Sequence, residues 1–137
     1  MKARYLMDKS ALARMTFKPV QQRLSPIIEA GEAASCSIID LEVLYSARNR
    51  KEHEEIRRRR ALAYTSIPLN EGIFQRAIEI QAQLSKTGRH RLPIPGLIIA
   101  AAAETAGVTL LHYDSDFDII AEVTGQPVEW VVPQGTI

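Results

Sequence analysis

The chain predicts an α/β fold of three layers, with helices covering both faces of a central parallel sheet of four to five strands. Short apolar runs alternate with amphipathic stretches along its whole length, and no tight hairpin signal joins neighbouring runs. A third observation is the placement of acids. Asp8, Glu42 and the Asp114/Asp116 pair each stand where a predicted strand hands over to a helix. In a parallel sheet those hand-overs share one edge, the edge beyond which ligands bind.

Taken in order, Arg4 to Met7 is a mostly apolar run closed by Asp8, which suits a buried first strand, and a helix begins at Ser10. Pro19 opens a second helical stretch, with Val20, Leu24, Ile27 and Ile28 on one side, Pro26 as a candidate kink and Gly31 as its stop. Ala33 to Ile39 reads as the second strand. Asp40 then caps a helix carrying Leu41, Leu44 and Tyr45, which places Glu42 in its first turn. Asn49 followed by Glu52 is a capping-box pattern that starts a new helix running to about Tyr64. Ile67-Pro68-Leu69 is short and extended. Ile73, Ala77, Ile80 and Leu84 repeat at helical spacing between Glu71 and Thr87, and Gly88 stops that helix. Leu97 to Ala106 is apolar all round, as a buried helix is, and ends at Gly107. A strand over Val108 to His112, a short helix over Phe117 to Val123 and a closing strand over Val128 to Val132 complete the chain.

The 137 residues suit one domain, 1–137, able to bury a sizeable core, and 46% hydrophobic with 24% charged residues is ordinary globular composition. A net charge of +1 excludes a strongly basic coat but leaves room for a local basic patch beside an acidic centre. The lone Cys36 excludes an internal disulfide and any cysteine-based zinc cluster, and in its apolar run it reads as a buried strand residue. The amino end turns acidic at Asp8 too early for a signal peptide, and the longest apolar run, Leu97 to Ala103, is far below a membrane span. A soluble cytoplasmic protein with no membrane contact is the expectation.

Each acid alone has a structural explanation, as a helix cap, a first-turn acid or a turn residue. Capping does not explain why the acids follow successive strands of one sheet. Clustered carboxylates repel one another and persist mainly where a cation neutralises them. Hard oxygen donors select Mg²⁺ or Mn²⁺ over zinc, and a pair of such ions can stabilise both the entering and leaving oxygens of a phosphodiester displacement. His53, His90 and His112 sit in unrelated contexts. Only His112 lies near the acids, and a structural role is expected for it.

Five motifs in order now resemble the PIN-domain family, and within it the VapC toxins of toxin–antitoxin pairs. They are Leu6-Met7-Asp8-Lys9-Ser10, Ile39-Asp40-Leu41-Glu42, Ile94-Pro95-Gly96-Leu97-Ile98-Ile99-Ala100-Ala101, His112-Tyr113-Asp114-Ser115-Asp116-Phe117 and Gln126-Pro127-Val128-Glu129-Trp130-Val131. The resemblance runs nearly end to end. It implies a PIN-like fold and a Mg²⁺- or Mn²⁺-dependent endoribonuclease that cuts structured RNA, transfer or ribosomal, and so stops translation. It also implies Asp8 and Asp114 as direct ligands, Glu42 as a ligand or water-orienting base, Asp116 as a supporting acid and Ser10 as a hydrogen-bonding support. A VapB-type antitoxin and a homodimer are the implied partners.

Gly96 departs from the pattern, because the family carries aspartate there. Read as a cap position ahead of the apolar helix, glycine leaves the fold intact while the metal site loses an oxygen and a charge. One base change separates the two codons, and cloning a lethal toxin selects such losses. An attenuated or inactive copy is therefore expected, with natural variation as the other possibility. The rival readings are a catalytically dead PIN-fold module that holds an antitoxin or RNA, and a phosphoryl-accepting signalling domain. The latter needs paired acids after its first strand, where only Asp8 stands.

Arg57-Arg58-Arg59-Arg60 spans a helical turn, points round the helix and reads as a solvated face, whereas the loop Arg89-His90-Arg91 is a candidate contact for RNA phosphate. The aromatic residues are scattered, with Tyr45 and Phe74 expected to pack and Trp130 to close the core or a dimer seam rather than stack a base.

Overall fold

Residues 2–137 are described in the computed structural model. Along the chain run β1 (Tyr5–Met7), α1 (Lys9–Leu12), α2 (Lys18–Glu29), β2 (Ala33–Ser35), α3 (Ser37–Leu44) and α4 (Arg50–Ala63). β3 (Thr65–Ser66), α5 (Glu71–Ser85), α6 (Ile94–Ala106), β4 (Thr109–His112), α7 (Asp116–Thr124) and β5 (Val128–Trp130) follow. The five strands pair in parallel throughout, in the order β3-β2-β1-β4-β5. The chain steps outward from β1 to β3, then returns to lay β4 against the other side of β1. The reversal, where ligand crevices form in such sheets, lies between β1 and β4.

The period-two alternation of strand side chains sorts the core into two layers. Leu6, Ala34 and Leu110 face α3, α5, α6 and α7, joining Ile39, Ile80, Leu84, Ile99, Ala103 and Ile120. Their neighbours Met7, Ala33 and Leu111 face the opposite way, joining Ala11 of α1 and Val20 and Leu24 of α2. The three-layer expectation holds. Among the described residues no helix is long and apolar enough to cross a membrane.

Several boundaries differ from the sequence reading. The second strand stops at Ser35: its pairing with β1 ends at Leu6↔Ala34 and its pairing with β3 at Ser35↔Ser66, and Ile38 and Ile39 enter α3 instead. Cys36, buried, is the N-cap, so Asp40 lies inside the helix and Glu42 falls past its first turn. α6 begins at Ile94, which puts Gly96 within its first turn rather than at a cap. The edge strand is Thr65–Ser66, ahead of the expected Ile67-Pro68-Leu69, although Ile67 N–H still donates to Ser35 O at 2.8 Å. α2 carries Pro26 inside it. Tyr45 is 89% exposed, which overturns its expected packing role, because α3 turns that side chain away from the core.

The arginine run is solvated only in part. Arg60 has a side chain 10% exposed, pairs with Asp40 at 3.0 Å, donates to Ser35 Oγ at 2.9 Å and lies over the Tyr64 ring at 4.6 Å. Ser35 Oγ also donates to Asp40 Oδ1 at 2.7 Å, so one arginine ties α4 to α3 and the sheet. Hydrogen bonds to charged groups of this kind contribute about 1.5–3 kcal/mol each when little exposed, less with a partner as open as Asp40. Arg60→Gln is therefore expected to lower stability by about 1–2 kcal/mol, and the exposed Arg58→Gln to stay within about 0.5 kcal/mol, in urea melts. Equal losses would show that Arg60 is not a tie.

Candidate functional site

Two parallel strands that lie side by side must release their chains at the same edge, and β1 and β4 do so with an acid each. Met7 pairs with Leu111, and Asp8 N–H donates to Leu111 O at 3.0 Å, carrying the strand geometry up to the first carboxylate. Asp8 Oδ2 accepts from Ser10 N–H at 2.9 Å, capping α1 and fixing the carboxylate's orientation. Across the crevice Asp114 Oδ1 accepts from Asp116 N–H at 2.9 Å, the short-range turn that starts α7.

Two further contacts hold the walls together. Ser10 Oγ accepts from Tyr113 N–H at 2.9 Å, linking the start of α1 to the residue before Asp114. His112, fully buried, accepts at Nδ1 from Asp114 N–H at 3.1 Å, so its proton resides on Nε2, which stands 3.7 Å from Asp118 Oδ1. Burial lowers the His112 pKa, the nearby Asp118, Asp8 and Asp114 opposing it. The neutral ring is a strut for Asp114, in line with the expected structural role.

Asp8, Glu42, Asp114, Asp116 and Gly96 line one small cavity of ≈ 100 Å³, walled also by Phe117, Leu92, Pro93 and Pro95. All four expected acids and the departing glycine therefore share a cleft. Its charges are strained. Burial, and secondarily Asp114, raises the Asp8 pKa, against the Ser10 hydrogen bonds that lower it. Burial and then Asp8 raise Glu42, and burial and then Asp114 raise Asp116. Glu42 Oε1 is buried with no hydrogen-bond partner among the described residues.

An orphaned, buried carboxylate oxygen in an acid-lined cleft is a donor set whose chemistry fits a hard divalent cation. The count falls short: among the described residues no three His, Cys, Asp or Glu side chains are gathered tightly enough to hold one ion. Gly96 leaves the gap on the α6 wall. A Cβ there would meet only Phe117 Cε1 and Cζ, at 3.8 and 3.9 Å, an ordinary contact, so a side chain fits.

Of the basic features, Arg89 is engaged by Glu122 at 2.7 Å, and Arg91 is exposed near the mouth. The sequence reading missed the aromatic grouping beside the cleft. His112 pairs with Trp130 across β4 and β5, and Trp130 meets the His112 ring at 5.0 Å and the Tyr113 ring edge-on at 5.1 Å. Trp130 Nε1 donates to Asp118 Oδ2 at 2.9 Å. Only the strand register reveals this grouping.

The raised carboxylates have a consequence for the metal-free protein. An acid whose folded pKa lies above its unfolded value costs nothing while protonated, and its cost grows as pH rises through the interval between the two values. Asn at position 8 keeps an oxygen for the Ser10 N–H. Asp8→Asn in chelator is therefore expected to melt a few degrees higher at pH 7, with the gain shrinking as pH falls toward 4. A pH-independent difference would refute the charge explanation.

Comparison with known proteins places this geometry. The PIN domain family matches residues 5–123. The chain is 49% identical over 139 residues to Ribonuclease VapC21 of Mycobacterium tuberculosis, covering 99% of both chains. It is 43% identical over 140 residues to Ribonuclease VapC51 of the same organism, covering 100% of this chain and 99% of the relative. Among solved structures, VapBC2 from Rickettsia felis bound to a promoter DNA fragment superposes with a TM-score of 0.74 at 15% identity, covering 91% of this chain and 96% of that one. VapBC-5 from Mycobacterium tuberculosis gives a TM-score of 0.62 at 19% identity over 93% and 97%, and these two likenesses speak for the fold alone. The end-to-end identity and the matching sheet together establish that this chain belongs to the PIN-domain family, in its VapC group.

Proposed function

We propose that this protein is the toxin of a toxin–antitoxin pair, a Mg²⁺- or Mn²⁺-dependent endoribonuclease that cuts structured RNA, and that Gly96 leaves this copy attenuated or inactive. The observation that carries the reading is the strained acidic cleft at the sheet's point of reversal, with Glu42 Oε1 unpartnered inside it. Relatives of matching length named as ribonucleases support it. Structure neighbours that are VapBC complexes support a VapB-type antitoxin as the partner. Transfer or ribosomal RNA as substrate, a homodimer and a cytoplasmic location complete the proposal.

Asp8 and Asp114 would hold the cation, with Glu42 and Asp116 beside them. When bound, it supplies Lewis acidity and neutralises charge on the phosphate. The chain supplies the rest. Ser10 N–H and Asp116 N–H each fix one carboxylate, and His112 and the Ser10 hydroxyl fix the backbone that bears the second. Glu42, whose pKa is raised by burial and Asp8, suits a general base. Its free oxygen would orient a water for in-line attack on phosphorus and take the water's proton, the opposite ester P–O bond breaking as the new one forms and the departing RNA oxygen taking up a proton from solvent. Leu92, Pro93, Pro95 and Phe117 limit access of bulk solvent.

Mn²⁺-dependent cleavage of total RNA is expected to be at least about tenfold faster for Gly96→Asp than for the Gly96 protein, with none in chelator. Equal activity at matched metal would remove the idea of a lesion. No cleavage by either protein would favour the rival reading, a module that only holds antitoxin or RNA.

The same substitution tests the charge balance. Aspartate in the first turn of α6 gains roughly 0.5–1 kcal/mol over glycine in helix preference. It also adds a charge to a cleft where three carboxylates are already pushed up. The repulsion is expected to exceed the helix gain. In chelator at pH 8 Gly96→Asp should melt below the Gly96 protein, and in Mn²⁺ above it. A higher melt for the aspartate form in chelator would sink this ordering.

A further inference from the structure

On the far side of Asp114 from the acidic cleft lies an open depression of ≈ 570 Å³, lined by Ser10, Arg14, Tyr113, Ser115, Trp130 and Gln134 along with Asp114 itself. Asp114 thus forms the ridge between two concavities, one too small for a base and one of ligand-site size. Its lining differs in kind from the cleft's. Arg14 Nη1 donates to Ser10 O at 2.7 Å, and its guanidinium lies over the Tyr113 ring at 4.5 Å. These contacts hold the group flat while leaving most of its five N–H donors free. No carboxylate pairs with Arg14 among the described residues, although Arg4, Arg23, Arg48, Arg50, Arg60, Arg76 and Arg89 each have at least one.

The aromatic wall is equally fixed. Tyr113 Oη accepts from Gly135 N–H at 2.9 Å and is anchored to the carboxyl-terminal segment, while Trp130 is braced by Asp118 and His112. A planar cation and a rigid, partly exposed indole side by side are what a nucleotide needs, the one for its phosphate and the other for its base. A positive charge just outside an acidic centre also offsets the repulsion that a polyanion meets there.

We propose that this Arg14–Trp130 depression seats one nucleotide of single-stranded RNA next to the phosphate that a cation on Asp114 would hold, with Arg14 on its phosphate and Trp130 against its base. The inference rests on the ribonuclease reading for the neighbouring phosphate. It goes beyond that reading by assigning substrate positioning to residues outside the acidic cleft.

Trp130 is the sole tryptophan, so its fluorescence reports on the site directly. A 12-nucleotide single-stranded RNA titrated in chelator at low salt is expected to quench it saturably. Arg14→Gln is expected to weaken that binding about tenfold and reduce the salt slope by about one, and Arg14→Lys to recover the slope but not the full affinity. In Mn²⁺, on the Gly96→Asp background, Arg14→Gln should lower kcat/KM chiefly through KM. Thermal melts confirm that each variant folds, and Gln134→Ala, an exposed change on the same rim, gives a second measure of affinity. Saturable, Arg14-dependent quenching without cleavage by any version would uphold the subsite and remove the enzyme. Normal cleavage with no quench, and with an unchanged salt slope in Arg14→Gln, would overturn the subsite and leave the enzyme standing. Quenching by a basic peptide but not by RNA would also overturn it.

Discussion

The parallel pairing of β1 with β4 brings residues from the two ends of the chain into one site. The register Tyr5↔Thr109, Leu6↔Leu110, Met7↔Leu111 continues into the Asp8 N–H to Leu111 O bond, so Asp8 leaves the sheet beside the turn that bears Asp114. The pairing is held by burial on both sides. Leu6 and Leu110 belong to the layer under α5 and α6, and Met7 and Leu111 to the layer under α1 and α2. A slip of one residue would exchange those layers and separate the acids. Fold stability and site geometry therefore depend on the same few strand residues.

Given that pairing, the cleft's chemistry is largely a matter of charge held in place. Short local bonds fix Asp8 and Asp114, while the longer-range Ser10 to Tyr113 bond fixes the distance between their loops. Burial does not relax these acids; it raises Asp8, Glu42 and Asp116 together. Such an arrangement lowers stability in the absence of a counter-charge, as sites built for a cation do. With glycine at position 96 the α6 wall adds neither a charge nor an oxygen donor to the cleft, so an aspartate there is expected to act on both stability and activity.

Much of this was legible in the sequence. Asp8 and Asp114 follow apolar runs whose strand character is plain, and a parallel sheet puts the ends of such runs on one edge. α5 and α6 were equally plain, one from its spacing of Ile73, Ala77, Ile80 and Leu84, the other from its all-round apolarity. Where the reading failed, the cause was tertiary. Ile38 and Ile39 favour a strand locally, but no partner extends that far, so the helix claims them. Arg60 differs from Arg57, Arg58 and Arg59 only because its side of α4 meets Asp40. Trp130 and Tyr113 are distant in sequence, and only the His112↔Trp130 register makes them neighbours.

The central claim is that the cleft between β1 and β4 is a divalent-metal site short of one ligand. Electron paramagnetic resonance of free Mn²⁺ during titration of the Gly96 protein, its Gly96→Asp version and its Asp8→Asn version tests this without relying on catalysis. The account predicts weak binding by the Gly96 protein, at least about tenfold tighter binding once aspartate stands at position 96, and none without the Asp8 charge. Equal affinity in all three proteins would contradict it, because the bound ion would then lie somewhere other than this cleft.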